Sequence, residues 1–166
     1  MNMKITREFN SGELILEEEN LEFDEFEILD ALALGEIAKE HAFIKNLPIS
    51  IEVRIGNWTI YHASLPGSNP ENQTWLDRKA RVVLLKKHST LYEKIYSEER
   101  KVNWYTENNL SEELYAFHGG GLPISLKKYK FLGCLLISGL PQIEDHLFGV
   151  EVIKMFKDKK LSYNEQ

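Results

Sequence analysis

Cysteine is almost missing from this chain: Cys134 stands alone among 166 residues. No internal disulfide can form, and a reducing, cytoplasmic setting is expected. There is no cysteine pair and no H-E-x-x-H run, so neither zinc nor haem has a signature by spacing. No apolar run approaches the roughly 18 residues that cross a bilayer. The segment from Met1 to Asn10 is polar and carries no apolar signal. No membrane partner is therefore expected. Positive charge is short as well. With 20 basic against 26 acidic residues the net charge is −6, which argues against nucleic acid, whose binders need a basic footprint. The glycine run matches neither a P-loop nor a dinucleotide fingerprint. Ser138-Gly139 lacks the G-x-S-x-G setting of a hydrolase elbow. No defined nucleophile or acid–base pair emerges.

What is present reads as one domain over residues 1–166, with enough apolar residues (43%) for a core. Ile49-Ser50-Ile51-Glu52-Val53-Arg54-Ile55 alternates as a half-buried strand should. Gly56-Asn57 turns it back into a second strand over 58–63. His62 is isolated there and reads as structural or exposed. A helix is expected over 25–45, capped by Asp24 with Glu27 in capping-box spacing. It carries two apolar lines, one of them mostly small (Ile28, Ala31, Gly35, Ala38, Ala42), which suits close approach to a neighbour. Further helices are expected over 73–86, capped by Asn72, and over 142–157, with Pro141 at the first position. Ser89 can cap a shorter helix between those two. Asn103 to Asn109 reads as a loop, and the tail beyond Lys157 as frayed. The acidic run Glu17-Glu18-Glu19 reads as a solvated face. Arg78, Lys79, Arg81, Lys86 and Lys87 make the expected helix over 73–86 and its end the most basic region of an acidic chain. That stretch is either a solvated face or a surface for an anionic group.

The chain is organised around Tyr115-Ala116-Phe117-His118-Gly119-Gly120-Gly121 and the apolar run Phe131 to Ile137, which ends at Ser138-Gly139. The run suits a strand buried on both faces, 131–138. Leu114–Phe117 and Leu122–Leu126 read as strand pieces on either side of the glycines. Three glycines in a row suit a bend with positive φ or a close approach, and exposed amides there can form an anion-binding nest. The strand, corner and helix bring Ser138 to the start of the last helix, a favoured place for anions. His118, Gly119, Gly120, Gly121, Ser138 and His146 are expected to surround a polar pocket, with Arg78 or Lys79 near its mouth. On the last helix Phe148, Val152 and Met155 form a second apolar line, which asks for another partner.

These residues also carry a resemblance. Gly120-Gly121-Leu122-Pro123-Ile124, then Gly133 through Ser138-Gly139, then Gln142 and Asp145, resemble the haem-degrading-domain superfamily of GlcG-like and HbpS-like proteins. Tyr115 to Gly120 and Glu144-Asp145-His146, with Trp75, Arg78-Lys79 and His88-Ser89, are similar to its short single-domain branch. The resemblance implies a profilin-like α/β fold: a mostly antiparallel sheet of about five strands flanked by helices. It implies a homo-oligomer, expected to be larger than a dimer. The family's name implies haem chemistry, with haem or a small anionic ligand as the partner. The alternative is a non-catalytic oligomeric interaction protein, in which the same residues only set corners and subunit contacts.

Overall fold

The computed structural model describes residues 8–128 and 130–164. The start of the polar leader and Tyr129, one of two expected starts for the central strand, lie outside the described residues. Along the chain the elements are α1 (Ser11–Asn20), α2 (Ile28–Ile44), β1 (Ser50–Ile55), β2 (Trp58–Ser64), α3 (Pro70–Lys86), α4 (Thr90–Glu99), α5 (Trp104–Asn108), β3 (Gly121–Leu126), β4 (Lys130–Ser138) and α6 (Gln142–Asn164). The four strands form one antiparallel sheet in the order β2-β1-β4-β3.

Alternation along β1 and β4 gives the sheet two buried faces. Ile51, Val53, Leu135 and Ile137, with Leu122 and Ile124 of β3, form the main core with Leu34 and Ala38 of α2 and Val152 and Ile153 of α6. Cys134 and Leu136 face the other way, onto Leu76, Ala80 and Val83 of α3. Cys134 is fully enclosed, and burial pushes its thiol up to about 12. It is a small core residue, as free cysteines commonly are.

The small-residue line on α2 meets the sheet as its spacing requires. A Cβ on Gly35 would lie 2.2 Å from the Tyr61 ring of β2, so only glycine lets the helix come this close. The N-cap of α2 is Glu27, in a reciprocal box with Asp30, rather than Asp24. At α3 the cap is Asn69, and Asn72 closes its box from the third position. Pro70, Trp75 and the rest of the first turns therefore belong to the helix. Lys87, in the left-handed region at φ 62°, ends α3, and Ser89 caps α4.

Several sequence expectations need correction. Among the described residues the sheet has four strands rather than about five, because Leu114–Phe117 does not pair with it. The Tyr115 carbonyl accepts from the Tyr105 hydroxyl (2.9 Å), and the Ala116 amide donates to the Arg78 carbonyl (3.1 Å). Side chains and α3 thus take the hydrogen bonds a ladder would have used. Asn103–Asn109 contains a short helix, held by Trp104, whose indole N–H donates to Glu93 in the interior. α6 continues past Lys157 to Asn164. The acidic run is only partly solvated. Glu17 accepts from His146 (2.7 Å), and Glu18 takes the Ser89 amide (2.7 Å) and His88 Nδ1 (2.8 Å). Those contacts tie α1 to α4 and α6. Of the second apolar line of α6, Phe148 and Val152 are buried within this chain, while Met155 is 37% exposed.

Candidate functional site

β4 ends at Ser138. The chain then turns through Gly139, at φ +140°, where a Cβ would lie 2.4 Å from the Pro48 carbonyl oxygen. Leu140 and Pro141 lead into α6, so its first turn starts beside the strand end. α3 comes down on the same corner, and residues 72, 75 and 79 share one of its faces at helical spacing. Between them lies an open cleft of about 330 Å³, whose lining includes Asn72, Trp75, Lys79, His118, Ser138 and Asp145.

The floor of the cleft is a buried ion pair. Lys79 Nζ donates to Asp145 Oδ2 (3.2 Å) and to the Ile137 carbonyl (2.9 Å), and both side chains are almost fully enclosed. Asp145 Oδ1 accepts the Leu140 amide (3.0 Å), which fixes the corner. Burial pushes the Asp145 carboxyl up to about 6, against the pull of Lys79. Burial lowers Lys79, against the pull of Asp145. Both charges are thus held where water solvates neither, which costs stability.

His118 forms one wall. Its ring meets Trp75 edge-on, with centroids 5.0 Å apart, and Trp75 carries the Arg78 guanidinium 4.4 Å over its face. Nδ1 of His118 is buried with no hydrogen-bond partner. Burial first, then the nearby Lys94, Lys79 and Arg78 cations, lower its pKa to about 4. At neutral pH this imidazole is therefore uncharged.

The cleft brings together His118, Ser138 and Lys79. The three glycines, expected around the pocket, are not part of its lining; they pack as close-fitting backbone behind Gln142, Lys79 and Asp145. Gly120 sits at φ +125°, and a Cβ there would fall 2.4 Å from the Ile137 carbonyl and 2.7 Å from Lys79 Nζ. The Gly119 amide is directed at Gln142 Oε1 (3.4 Å), and the Gly121 amide at Thr90 Oγ1 (3.0 Å). These two amides are spent inside the fold rather than presented as a nest. Arg78 lies beyond Trp75, with Nη2 donating to the Glu112 carbonyl. His146 does not line the cleft: it is buried, bonded to Glu17, and edge-on to Phe9. Its Cβ lies close to Gly119, but the ring points into the contact with α1. Asn72, Trp75 and Asp145 complete the cleft although the sequence reading did not place them in it. The signals were the i, i+3, i+7 spacing of 72, 75 and 79 and the i, i+3 spacing of 142 and 145. Among the described residues, no group of three His, Cys, Asp or Glu is arranged to hold a metal ion. No helix there is long and apolar enough to cross a membrane.

A four-stranded antiparallel sheet, covered by helices on both faces and opening a polar cleft at one strand end, defines a profilin-like α/β architecture. Residues 26–154 match the family described as haem degrading protein HbpS-like, and the chain belongs to that family. It is 34% identical over 150 residues to a UPF0303 protein of Streptomyces avermitilis, covering 90% of this chain and 92% of that one. It is likewise 34% identical over 145 residues to the UPF0303 protein RL3365 of Rhizobium johnstonii, covering 87% and 89%. Among solved structures, the Ybr137w protein superposes with a TM-score of 0.83 at 26% identity, over 91% of this chain and 90% of that one. The PduOC:heme complex superposes with a TM-score of 0.66 at 17% identity, over 78% and 93%. That last likeness is one of fold.

Proposed function

We propose that this single-domain protein binds haem at the corner cleft, with His118 as the iron ligand. The observation that carries the reading is the His118 imidazole: uncharged at neutral pH, with Nδ1 unpartnered, on the wall of an open cleft. Iron takes a neutral imidazole, so this donor fits the group. Membership of a family described by haem degradation supports it, as does the fold shared with a haem complex. Bound haem would supply the iron chemistry. The chain would supply the His118 imidazole to hold the iron, the Trp75 wall, and the Lys79–Asp145 pair that sets the charge at the cleft floor. Gly119, Gly120, Gly121 and Ser138 shape that cleft, and Arg78 stands at the far side of Trp75.

Haemin titration tests this. The wild type is expected to give a saturable shift of the haem absorption band, and His118→Ala to abolish it with an unchanged melting temperature. His146→Ala is expected to keep the shift. A base already uncharged above about pH 4 has no proton to lose between pH 5 and 8, so affinity should stay flat there once the cleft carboxyl raised to about 6 is removed in Asp145→Asn. A non-saturating shift, or one that fades in that variant with a midpoint near the ordinary histidine value of 6.5, rejects the assignment. The polar lining and the start of α6 at the cleft favour a second reading, a small carboxylate or phosphate. Calorimetry with those anions would find it where haemin fails.

Self-association is the companion proposal. α2 carries large apolar residues outside the face it buries, and a surface helix needs only one such stripe. Leu29 (76% exposed), Leu32 (39%) and Phe43 (65%) lie on its outer face. Glu36 and Lys39 pair at 2.8 Å between them. An antiparallel pairing about a two-fold axis would set Leu32 of one copy on Phe43 of the other and Glu36 of one beside Lys39 of the other. Trp58, 63% exposed at the hairpin turn and away from His62 and Ser64, offers a second contact and so an assembly larger than a dimer. Light scattering should give a multiple of the 19.3 kDa chain mass. Phe43→Glu should lower it by placing a charge in an apolar contact. A wild type that scatters as a monomer at micromolar concentration contradicts the proposal.

A further inference from the structure

The hairpin of β1 and β2 carries a second constellation, two strands across the sheet from Ser138. The register sets Glu52 opposite His62 and Ser50 opposite Ser64. Period-two alternation therefore puts all four side chains on one face. Glu52 is buried, and its carboxylate is held by several donors. Oε1 accepts from Arg54 Nε (2.9 Å) and Thr59 Oγ1 (3.0 Å), and Oε2 accepts from Gln73 Nε2 (2.6 Å). His62 Nδ1 stands 3.2 Å from Oε2, and His62 Nε2 stands 2.9 Å from Ser64 Oγ. Ser50 Oγ lies 3.1 Å from Ser64 Oγ.

The direction of this chain follows from its buried end. Burial works to raise the Glu52 carboxyl, but the bonds from Gln73, Arg54 and Thr59 outweigh it and hold the group below its ordinary value. An ionised carboxylate only accepts, so His62 must carry its proton on Nδ1. Nε2 is then a free lone pair that accepts from the Ser64 hydroxyl, while the Ser50 hydroxyl donates to Ser64 Oγ. This is the tautomer a general base needs, with a nucleophile in reach and a third group orienting the ring. Arg54 is itself fixed by Asn57 (2.9 Å) and Asp77 (2.6 Å), so the orienting carboxylate has a rigid support.

We propose that Ser64 is a nucleophile for acyl transfer, with His62 as its general base and Glu52 as the positioning residue. His62 and Ser64 lie open to solvent at the sheet edge. An open edge gives little binding energy for a difficult bond, so the substrate class is a small activated ester rather than an amide. In the first step Ser64 Oγ bonds to the acyl carbon, its proton passes to His62 Nε2, and the ester C–O bond breaks. The leaving oxygen takes the proton from Nε2. In the second step water attacks the acyl-serine and gives a proton to Nε2, which returns it to Ser64 Oγ as the carboxylic acid departs.

p-Nitrophenyl acetate is the probe. Peptide mass mapping after a short incubation should find the acetyl group on Ser64. Ser64→Ala and His62→Ala, both at exposed positions, should each lower p-nitrophenolate release by about 100-fold, the usual scale of general-base help. Nitrogen-15 NMR should find the His62 proton on Nδ1 in the wild type and a shift toward the other tautomer in Glu52→Gln. Acetylation confined to lysines with release unchanged in both variants overturns the proposal. So does loss of release in His62→Ala but not in Ser64→Ala, because the imidazole would then be the nucleophile. A wild-type His62 protonated on Nε2 overturns the role of Glu52.

Discussion

Replacing Lys79 by Met together with Asp145 by Asn is expected to stabilise the protein, by about 1–4 kcal/mol in urea unfolding at pH 7. The reason is that both charges are nearly enclosed, at 3% and 2% side-chain exposure, and burial shifts each toward its neutral form. The asparagine keeps an acceptor for the Leu140 amide, and the methionine fills the channel of the lysine stem. The pH dependence has a definite sign. The Asp145 pKa is raised from 3.8 to about 6, so that group's contribution is fully present below pH 3.8 and is lost as the pH rises through about 6. The gain of the double variant should therefore grow over that interval. It should shrink again as the pH nears 10.5, the ordinary lysine value below which burial holds Lys79. A double variant clearly less stable than wild type at pH 7 would mean that the pair holds the corner together. A more stable one that no longer takes haemin would mean that the charges are kept for the ligand.

Phe148→Glu is expected to unfold the chain rather than dissociate an assembly. Phe148 is 5% exposed in the main core and stacks on His41, ring centroids 5.6 Å apart. The loss of packing alone is worth about 3–5 kcal/mol, and a carboxylate left in its place adds a desolvation cost. Circular dichroism on the purified variant would record the lost fold. A folded variant of reduced mass would return the second α6 line to a subunit interface. The sequence exposes that line but not what covers it. α6 is wedged between α2 and the sheet, so most of both stripes is buried inside one chain, with Met155 left 37% exposed. α2 also has apolar residues around its cylinder, yet there the sheet takes only the small-residue side. The 3.6 period identifies both faces, and only the third dimension decides which neighbour each one meets.

The elements themselves were legible because their periods are clean. The β1–β2 hairpin has strict alternation and a Gly-Asn turn, and β4 is an unbroken apolar run. Leu114–Phe117 misled because short apolar stretches look alike whether a ladder or an aromatic cluster takes them. Here Tyr105 and α3 claim the backbone. At the cleft, the glycine run and Ser138 were visible as a corner, and His118 as its entrance. His146 could not be separated from it by sequence. It follows Asp145 directly, and successive helical side chains diverge by about 100°, so Asp145 meets Lys79 while His146 turns to Glu17. Glu17 lies 129 residues away, and no local pattern announces such a pairing. The Glu52–His62–Ser64 chain was hidden for a similar reason: its members sit on paired strands, and only the register aligns them.

The most direct test of haem binding through His118 is anomalous diffraction at the iron edge from crystals grown with haemin. An iron peak at bonding distance from a His118 ring nitrogen, beside Trp75 and Ser138, is the predicted result. Iron at another side chain, or no ordered iron in crystals of protein that retains the haem absorption band, would contradict it.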